Sequence, residues 1–528
     1  MWGDVLNEFL SVSHNPDGTL NNSFINVKDY GALCDGVTDD TVAIAAALAA
    51  VVDAGGGTLY FPSGVCVGTV ILDSISNINI EGSGWGSVLK IPSGTSYNAI
   101  QMTNCSNIRV SNLAIDGNKA NVVPGIIYQC CSGVWISHGC SRITVENCYI
   151  HDCWGGGVET TGEAPNSTED PTTYLWILNN YFDGIRDGTI FIRPLCSHIL
   201  IQGNTCLNGN SYAIAVLYST YVIATENYCE NYNLDNIEGG AIQTGAASYC
   251  YFGNNILIAG ASQYADTCNA VKLDETEETF NHGMITTSYC VVENNICQGY
   301  DAPGATAIYL PSSANCDIRG NLLIDCWGGF RVYKATDTTF EGNTISRNTT
   351  LGIFIDNNPN TKAMFITGNT IEGGSDALIA LSSPAIVSGN VLKGGGFSGV
   401  VVYSTGGGSL ITGNQFVDVP QNGVVIQPGA ANVEVRDNVF HATPGGGMGT
   451  GVVEVSGGGP TTCVNNKTIN LSGSDYVLTH ANSTLIGEAG GGYRIDSSVV
   501  NIKNLPTVDP HVVGNLWSNS GVITVSAG

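Results

Sequence analysis

Residues 338–346, 363–372, 385–393 and 409–417 read TTFEGNTIS, AMFITGNTIE, AIVSGNVLK and SLITGNQFV. Each has a short alternating apolar stretch, a Gly-Asn corner and a second short stretch. Related copies centre on Asn112, Asn147, Asn180, Asn204, Asn227, Asn255, Asn295, Asn321 and Asn438, with about two dozen residues between most of them. Asn466 is the last recognisable copy. After each copy comes a Gly-rich loop and a third short stretch: GVET, TIFIR, YAIAV, GAIQT, NAVKL, TAIYL, GIFID, GVVVY and GVVIQ in turn.

Period-two alternation in such short stretches means strands with one face in and one face out. One such turn cannot bury its apolar face alone, but stacked turns can. The repeat therefore predicts an all-β, right-handed parallel β-helix with three short strands per rung. The Asn at each corner is expected to take left-handed backbone and to bond the same Asn of the next rung in a ladder. About fifteen rungs at about 4.8 Å each make a rod on the order of 70 Å. A β-propeller is excluded by its longer repeat of about 40–45 residues.

Composition agrees. The chain has 528 residues, of which 43% are hydrophobic, ample for a core. Its length alone suggests roughly three or four domains, but the repeat overrides that. Formal net charge is −27 with no basic stripe, which argues against nucleic-acid binding and against a strongly polyanionic ligand unless charge is locally reversed. No apolar run has the ~20 residues that crossing a bilayer needs, so no membrane insertion is expected. The start, Met1-Trp2-Gly3-Asp4, lacks the features of a signal peptide. The 18 cysteines are then expected as reduced thiols. Cys148, Cys206 and Cys229 follow the repeat Asn and read as a buried stack. No zinc spacing is present. Asp274-Glu275-Glu277-Glu278 has no EF-hand spacing. No metal or cofactor is expected.

Four segments follow. Residues 1–23 precede the repeat, with an attachment role that only the resemblance given below implies, and 24–100 read as the opening of the β-helix. Residues 101–456 form the helix itself, and 457–528 a small β-rich capping and trimerisation region. In DGVTDDTVAIAAALAAVVDAGGG, Thr38 is expected to cap a helix with Asp39 and Asp40 in its first turn, running to about Val52 and covering the end of the rod.

FINVKDYGALCDGVTDDTVAIAAALAAVVDAGGGTLYFPSGVCVG (Phe24 to Gly68) resembles the opening segment of the pectate-lyase-like β-helix superfamily. That superfamily includes pectate lyases, polygalacturonases, epimerases and bacteriophage tailspikes. WGDVLNEFLSVSHNPDGTL (Trp2 to Leu20) is similar to a segment of phage tail proteins. NLPTVDPHVVGNLWSNSGVITVSAG (Asn504 to Gly528) is similar to a terminal segment of phage virion proteins. The resemblance implies a virion tailspike made in the host cytoplasm. It also implies a homotrimer that docks to the tail or an adaptor by its N-terminal segment, binds host surface polysaccharide of O-antigen or capsule type, and cuts it. No polygalacturonase- or pectate-lyase-type catalytic motif is present, so pectin is not the expected substrate.

Aligned third strands give outward columns. Glu159, Phe191, Arg193, Gln243, Lys272, Asp274, Tyr309, Arg331, Tyr333 and Asp356 belong to the polar, aromatic and charged part, and Val401, Tyr403, Val425 and Gln427 continue the column with no acid until Glu454. Insertions at Thr161 to Thr173, Asn231 to Gly240 and Leu273 to Thr287 fall in the same region, as loops that carry function often do. Glycoside hydrolysis needs two carboxyl groups about 5–5.5 Å apart for retention or 6.5–9.5 Å for inversion. Glu238 and Asp274, one rung apart, are the expected acid/base pair, with Asp187 and Glu159 next. Arg193 and Lys272 are expected to hold substrate or tune those acids. Gln243, Tyr309, Arg331, Tyr333 and Asp356 complete the expected binding surface. A lyase on the same rod would use Arg331, Tyr333 and Lys272, and a non-enzymatic adhesin is the third reading. His151-Asp152 resembles a base and its orienting acid but has no nucleophile beside it. The Gly445 to Gly451 stretch follows no phosphate-binding pattern.

Overall fold

In the computed structural model, the described residues are 24–124, 130–160, 170–232, 239–260, 268–275, 286–480, 482–486, 493–495, 501–502, 516–519 and 522–525. They fall in two units, Met1–Cys316 and Asp317–Gly528. Each is right-handed parallel β-helix, as the repeat predicts.

In the N-terminal unit one rung runs through Ser141–Glu146, Tyr149–His151 and Val158–Thr160, and the next through Thr173–Leu178, Tyr181–Asp183 and Ile190–Ile192. Stacking is in register: Ser141 pairs with Thr173, Thr173 with Ser197 and Ser197 with Thr220. Ile143, Val145, Leu175, Ile177, Ile199 and Ile201 point inward and are buried. The C-terminal unit also has three parallel sheets: the first runs from Asp317–Arg319 to Thr461–Val464 and Thr484–Ile486, and Lys467–Ile469 and Tyr476–Leu478 are late strands of the other two. The three-sheet coil thus continues past residue 456, and Leu516–Asn519 with Val522–Val525 form an antiparallel pair.

The corner differs from the expectation in one respect. The left-handed residue and the ladder residue are neighbours, not the same residue. Asn179, Glu226 and Asn254 take φ of 53°, 59° and 56°, while Asn180, Asn227 and Asn255 behind them are buried. Gly203 and Gly413 fill the left-handed slot at φ 68° and 65°, where no Cβ penalty arises. In the N-terminal unit, Asn180, Asn204 and Asn227 each donate backbone N–H and Nδ2 to the Oδ1 of the next ladder Asn at 3.0–3.1 Å. In the C-terminal unit the chain of bonds runs Asn321, Asn343, Asn369, Asn390, Asn414, Asn438, Asn466. Asn112 and Asn147 occupy the left-handed slot instead, at φ 53° and 54°. Cys148 stands where the ladder would continue, and its N–H donates to Asn180 Oδ1 at 2.9 Å.

Cys148, Cys206 and Cys229 are fully buried, and Cys206 faces Cys229 in register, as expected of an interior stack. Burial pushes the Cys148 thiol up to about 12. The expectation of reduced thiols fails at one place. Cys34 and Cys66 form a disulfide, because the strand Asp35–Asp39 runs beside Gly64–Val67 and brings residues 32 apart together. The capping helix is Thr41–Asp53, and it buries Ile44, Ala47, Leu48 and Val51 against the first rungs. Its start is also corrected. Thr38 lies in the preceding strand, and Asp39 Oδ1 accepts from Thr41 N–H at 3.0 Å. Asp40 turns its carboxylate back to the N–H groups of Leu33 and Cys34, tying the loop to the helix.

Candidate active site

Third-sheet strands of the N-terminal unit set one outward column. Trp135 lies beside Glu159, Glu159 beside Phe191, and Phe191 beside Ala215. Ala215 then lies beside Gln243, Gln243 beside Lys272, and Lys272 beside Tyr309. Trp135 was not legible in the third-strand pattern. Its strand, Val134–Ile136, is short and follows no recognisable copy of the repeat closely.

Glu159 is fully buried in this column. Its Oε2 accepts from Ser132 Oγ at 2.9 Å and from Gly156 N–H at 3.3 Å. Its Oε1 lies 3.0 Å from Nη2 of Arg193. The Arg193 guanidinium rests 4.3 Å over the Phe191 ring, and its backbone N–H donates to Thr160 Oγ1 at 2.7 Å. Asp187, in the turn before the Phe191 strand, reaches the same Nη2 at 3.8 Å. Burial raises the proton affinity of Glu159. The Arg193 charge opposes that rise, and the nearby Asp187 adds to it. A side chain at position 156 would crowd this carboxylate, since a Cβ there would sit 3.0 Å from Oε2.

A second ion pair lies farther along the column. Lys272 Nζ is 2.9 Å from Asp274 Oδ2, and Glu275 N–H donates to Asp274 Oδ1 at 2.8 Å. Burial raises the Asp274 pKa and Lys272 holds it down. Gln243 Oε1 accepts from Gly240 N–H at 3.3 Å. Phe191 and Lys272 are three rungs apart, about 14 Å. Asp274 therefore cannot pair with Glu159 or Asp187 across one glycosidic bond. Glu238 lies outside the described residues.

In the C-terminal unit, Arg331 Nε lies 3.1 Å from Asp356 Oδ2, and Tyr333 is 48% exposed. His151 and Asp152 do meet, at 3.0 Å, but on the second sheet, where His151 stacks on Tyr149 with centroids 4.5 Å apart. Among the described residues, Cys34, Asp40 and Cys66 are the one group close enough for a metal. Two of these are joined as a disulfide, and both Asp40 oxygens accept backbone N–H groups, so the set does not fit a metal ion.

Residues 24–256 match the family model described as rhamnogalacturonase A/epimerase, pectate lyase-like. Residues 281–416 and 359–469 match the model of the right-handed β-helix region. Mannuronan C5-epimerase AlgE1 of Azotobacter vinelandii is 30% identical over 267 residues, covering 47% of this chain and 18% of that protein. Alginate lyase 7 of the same organism is 42% identical over 110 residues, covering 18% of this chain and 13% of that one. The chain thus spans less than a fifth of either relative. Among solved structures, the A-module of the Azotobacter vinelandii epimerase AlgE4 aligns at 17% identity and TM-score 0.43, over 86% of this chain and all of that module. The pre-mature gene product 12 of bacteriophage phi29 aligns at 14% identity and TM-score 0.49, over 99% of this chain and 77% of that one.

Proposed function

We propose that this chain is a tail-type protein that binds a polysaccharide along the third sheet of its N-terminal unit. We further propose that it hydrolyses that polysaccharide there with Glu159 and Asp187. One observation carries the reading: two carboxyl groups in unlike surroundings share one guanidinium nitrogen. Burial raises the proton affinity of Glu159, the direction a general acid needs, against the Arg193 charge that opposes it. Asp187 keeps part of its surface open to solvent, as a base or nucleophile must. The two oxygens cannot be farther apart than those two contacts laid end to end. That span covers the retaining separation of about 5–5.5 Å and just reaches the inverting range of about 6.5–9.5 Å. Trp135 and Tyr309, each partly exposed, add flat apolar surface along the column, and Gln243 adds a polar group. The tail setting, the homotrimer and the host surface glycan rest on the likeness of residues 2–20 and 504–528 to phage tail and virion segments.

A second reading is favoured by the complete burial of Glu159 and by the relatives named for mannuronan and alginate. There Glu159 only holds Arg193, whose guanidinium neutralises a uronate carboxylate. The test is to incubate the full chain with candidate host surface polysaccharide and with polymannuronate. Hydrolysis yields new reducing ends without alkene absorbance, and elimination yields the alkene. Epimerisation yields exchange of the ring proton with solvent deuterium and no cleavage. For hydrolysis, Asp187→Asn and Glu159→Gln are each expected to lower kcat by about 10²-fold or more. Unchanged kcat in both variants removes this site from the chemistry. No change in either polysaccharide removes both readings and leaves an adhesin.

A further inference from the structure

The capping helix leaves a groove beside it that the glycan site does not use. Strand Phe24–Asn26 lies beside Gly57–Phe61, and Asp35–Asp39 beside Gly64–Val67, so the two earlier strands belong to the first rung. In that rung the helix Thr41–Asp53 stands where a third strand would. Val70–Asp73 therefore opens the third sheet, and among the described residues it pairs on one side only, with Ile100–Thr103. Val70 and Ser74 donate N–H to the carbonyls of Ala99 and Thr103. In a parallel ladder the N–H and C=O of Ile71 and Asp73 then face the other edge. Between that edge and the helix lies a groove of about 350 Å³. Ala45, Ala49 and Val52, one stripe of the helix, line one wall, and Ile71 and Ile75 line the other. Ala45 and Ala49 are exposed, and Val52 and Ile71 are 39% and 55% exposed. Asp53, at the end of the helix, is the one charged residue among the described lining. An open strand edge beside an apolar stripe is a surface that folded proteins cover, often with a helix.

We propose that residues 2–11 of the same chain form a helix that lies in this groove and covers the edge. Trp2, Val5, Leu6, Phe9 and Leu10 recur at i, i+3, i+4, i+7 and i+8, and Gly3, Asp4, Asn7, Glu8 and Ser11 fill the positions between. That is the pattern of a helix with one apolar face. So short a helix is not stable alone in water, so its apolar face needs a surface to form against. Ala45 and Ala49 are small, which lets a second helix come close. The entry point fits. Phe24 lies beside Thr58, and Gly57 beside Ile78. The chain before Phe24 thus joins the rod at the corner where the helix ends, which is the Val52 and Ile75 end of the groove. Residues 12–23 reach about 40 Å when extended, against about 20 Å for the length of the capping helix. Asn15-Pro16-Asp17-Gly18 supplies the turn that doubling back needs. A tether this short holds the segment near its groove at about millimolar effective concentration, which selects the same chain over any other. The polar face, with Asp4, Asn7 and Glu8, stays outward, so the contact leaves the segment able to meet a tail protein. It does not depend on the reading of the glycan site.

Hydrogen exchange and photo-cross-linking on the full chain test this. The amides of residues 6–11 are expected to exchange at least tenfold more slowly than in a free peptide of residues 1–23. The double variant Ala45→Glu and Ala49→Glu puts a good helix former at two exposed positions, so the capping helix keeps its own protection. Residues 6–11 are expected to lose theirs, at least tenfold. Leu6→Ser with Phe9→Ser leaves the groove intact and is expected to give the same loss. A photo-crosslinking residue in place of Val52 is expected to mark residues 2–11 and to leave a product of single-chain mass on a denaturing gel. The proposal fails if residues 6–11 of the wild type exchange as the free peptide does, or if their protection survives in both double variants. It fails equally if the cross-links fall on other residues or join two chains.

Discussion

Asn414→Ala is expected to destabilise the C-terminal unit by about 2–6 kcal/mol, reckoned at about 1–3 kcal/mol for each of two buried groups left without a partner. Asn414 Oδ1 accepts from the backbone N–H and Nδ2 of Asn390, both at 2.9 Å. Its own Nδ2 donates to the carbonyls of Val387 and Thr412 and to Asn438 Oδ1. Alanine removes all of these at once, in a corner closed to water, so the Asn390 N–H loses its acceptor and the Val387 carbonyl loses its donor. The control lies one residue from another ladder position. Asn465 fills the exposed left-handed slot at φ 51° and bonds Asp437 Oδ1 at 2.8 Å. Asn465→Gly is expected to change stability by no more than about 0.5 kcal/mol, because glycine takes that conformation without penalty. Chemical denaturation of both variants checks the pair. A cost under about 1 kcal/mol for Asn414→Ala would show that the ladder is ornament and that the apolar interior alone sets the corner.

Arg193→Met is expected to cost about 3–5 kcal/mol at neutral pH, the range for stripping the partner from a buried charge. Glu159 then has only Ser132 Oγ and the Gly156 N–H to satisfy it. The deficit depends on pH with a definite sign. An unfolded glutamate ionises near 4.3, and burial makes Glu159 hold its proton above that. Below the unfolded value both states are protonated and burial of charge costs nothing. As pH rises through the window between the two values, the unfolded chain releases its proton first and stability falls. Loss of Arg193 carries the upper edge of that window higher, so the variant should approach the wild type near pH 4.5 and fall away from it toward pH 7. Glu159→Gln combined with Arg193→Met should recover most of the loss at pH 7, since no buried charge remains. Melting curves of the three variants from pH 4.5 to pH 8 measure this. A deficit independent of pH would mean that Glu159 is not the buried charge Arg193 holds.

Much of this was legible from residue order. Alternation of Ile199, Ile201 and their counterparts told inside from outside, because a strand has only two faces. The outward columns placed Glu159, Phe191 and Arg193 on neighbouring rungs before any coordinates, and Lys272 with Asp274 on one strand. Less local features were not legible. The third-strand pattern missed Trp135, although it stands directly beside Glu159. Asp187 was placed only by its likeness to a strand-entry position, and its contact with Arg193 depends on how one turn folds. Asp274 meets Lys272 on the same strand, and the distance from Asp274 to Glu159 or Asp187 follows only once rungs have a fixed rise. Thr38, a sound helix cap by residue type, was drawn into a strand, and Asp40 served the N–H groups of Leu33 and Cys34 instead.

By itself the sequence determined the coil, its three strands per rung and which side of each strand faces the interior, since these are one-dimensional periods. It also marked the Asn corner. Tertiary structure decided which of two adjacent corner residues is buried and which is left-handed. The ladder bond needs the backbone N–H of one rung to meet the amide of the next, and that geometry exists only after stacking. It decided the Cys34–Cys66 bond for the same reason, through a strand pairing 32 residues apart. It also decided that Glu159, an unremarkable acid in GVET, is fully buried against Arg193. Burial and charge pairing depend on what lies above and below a residue in the coil, and neighbours along the chain carry no record of that.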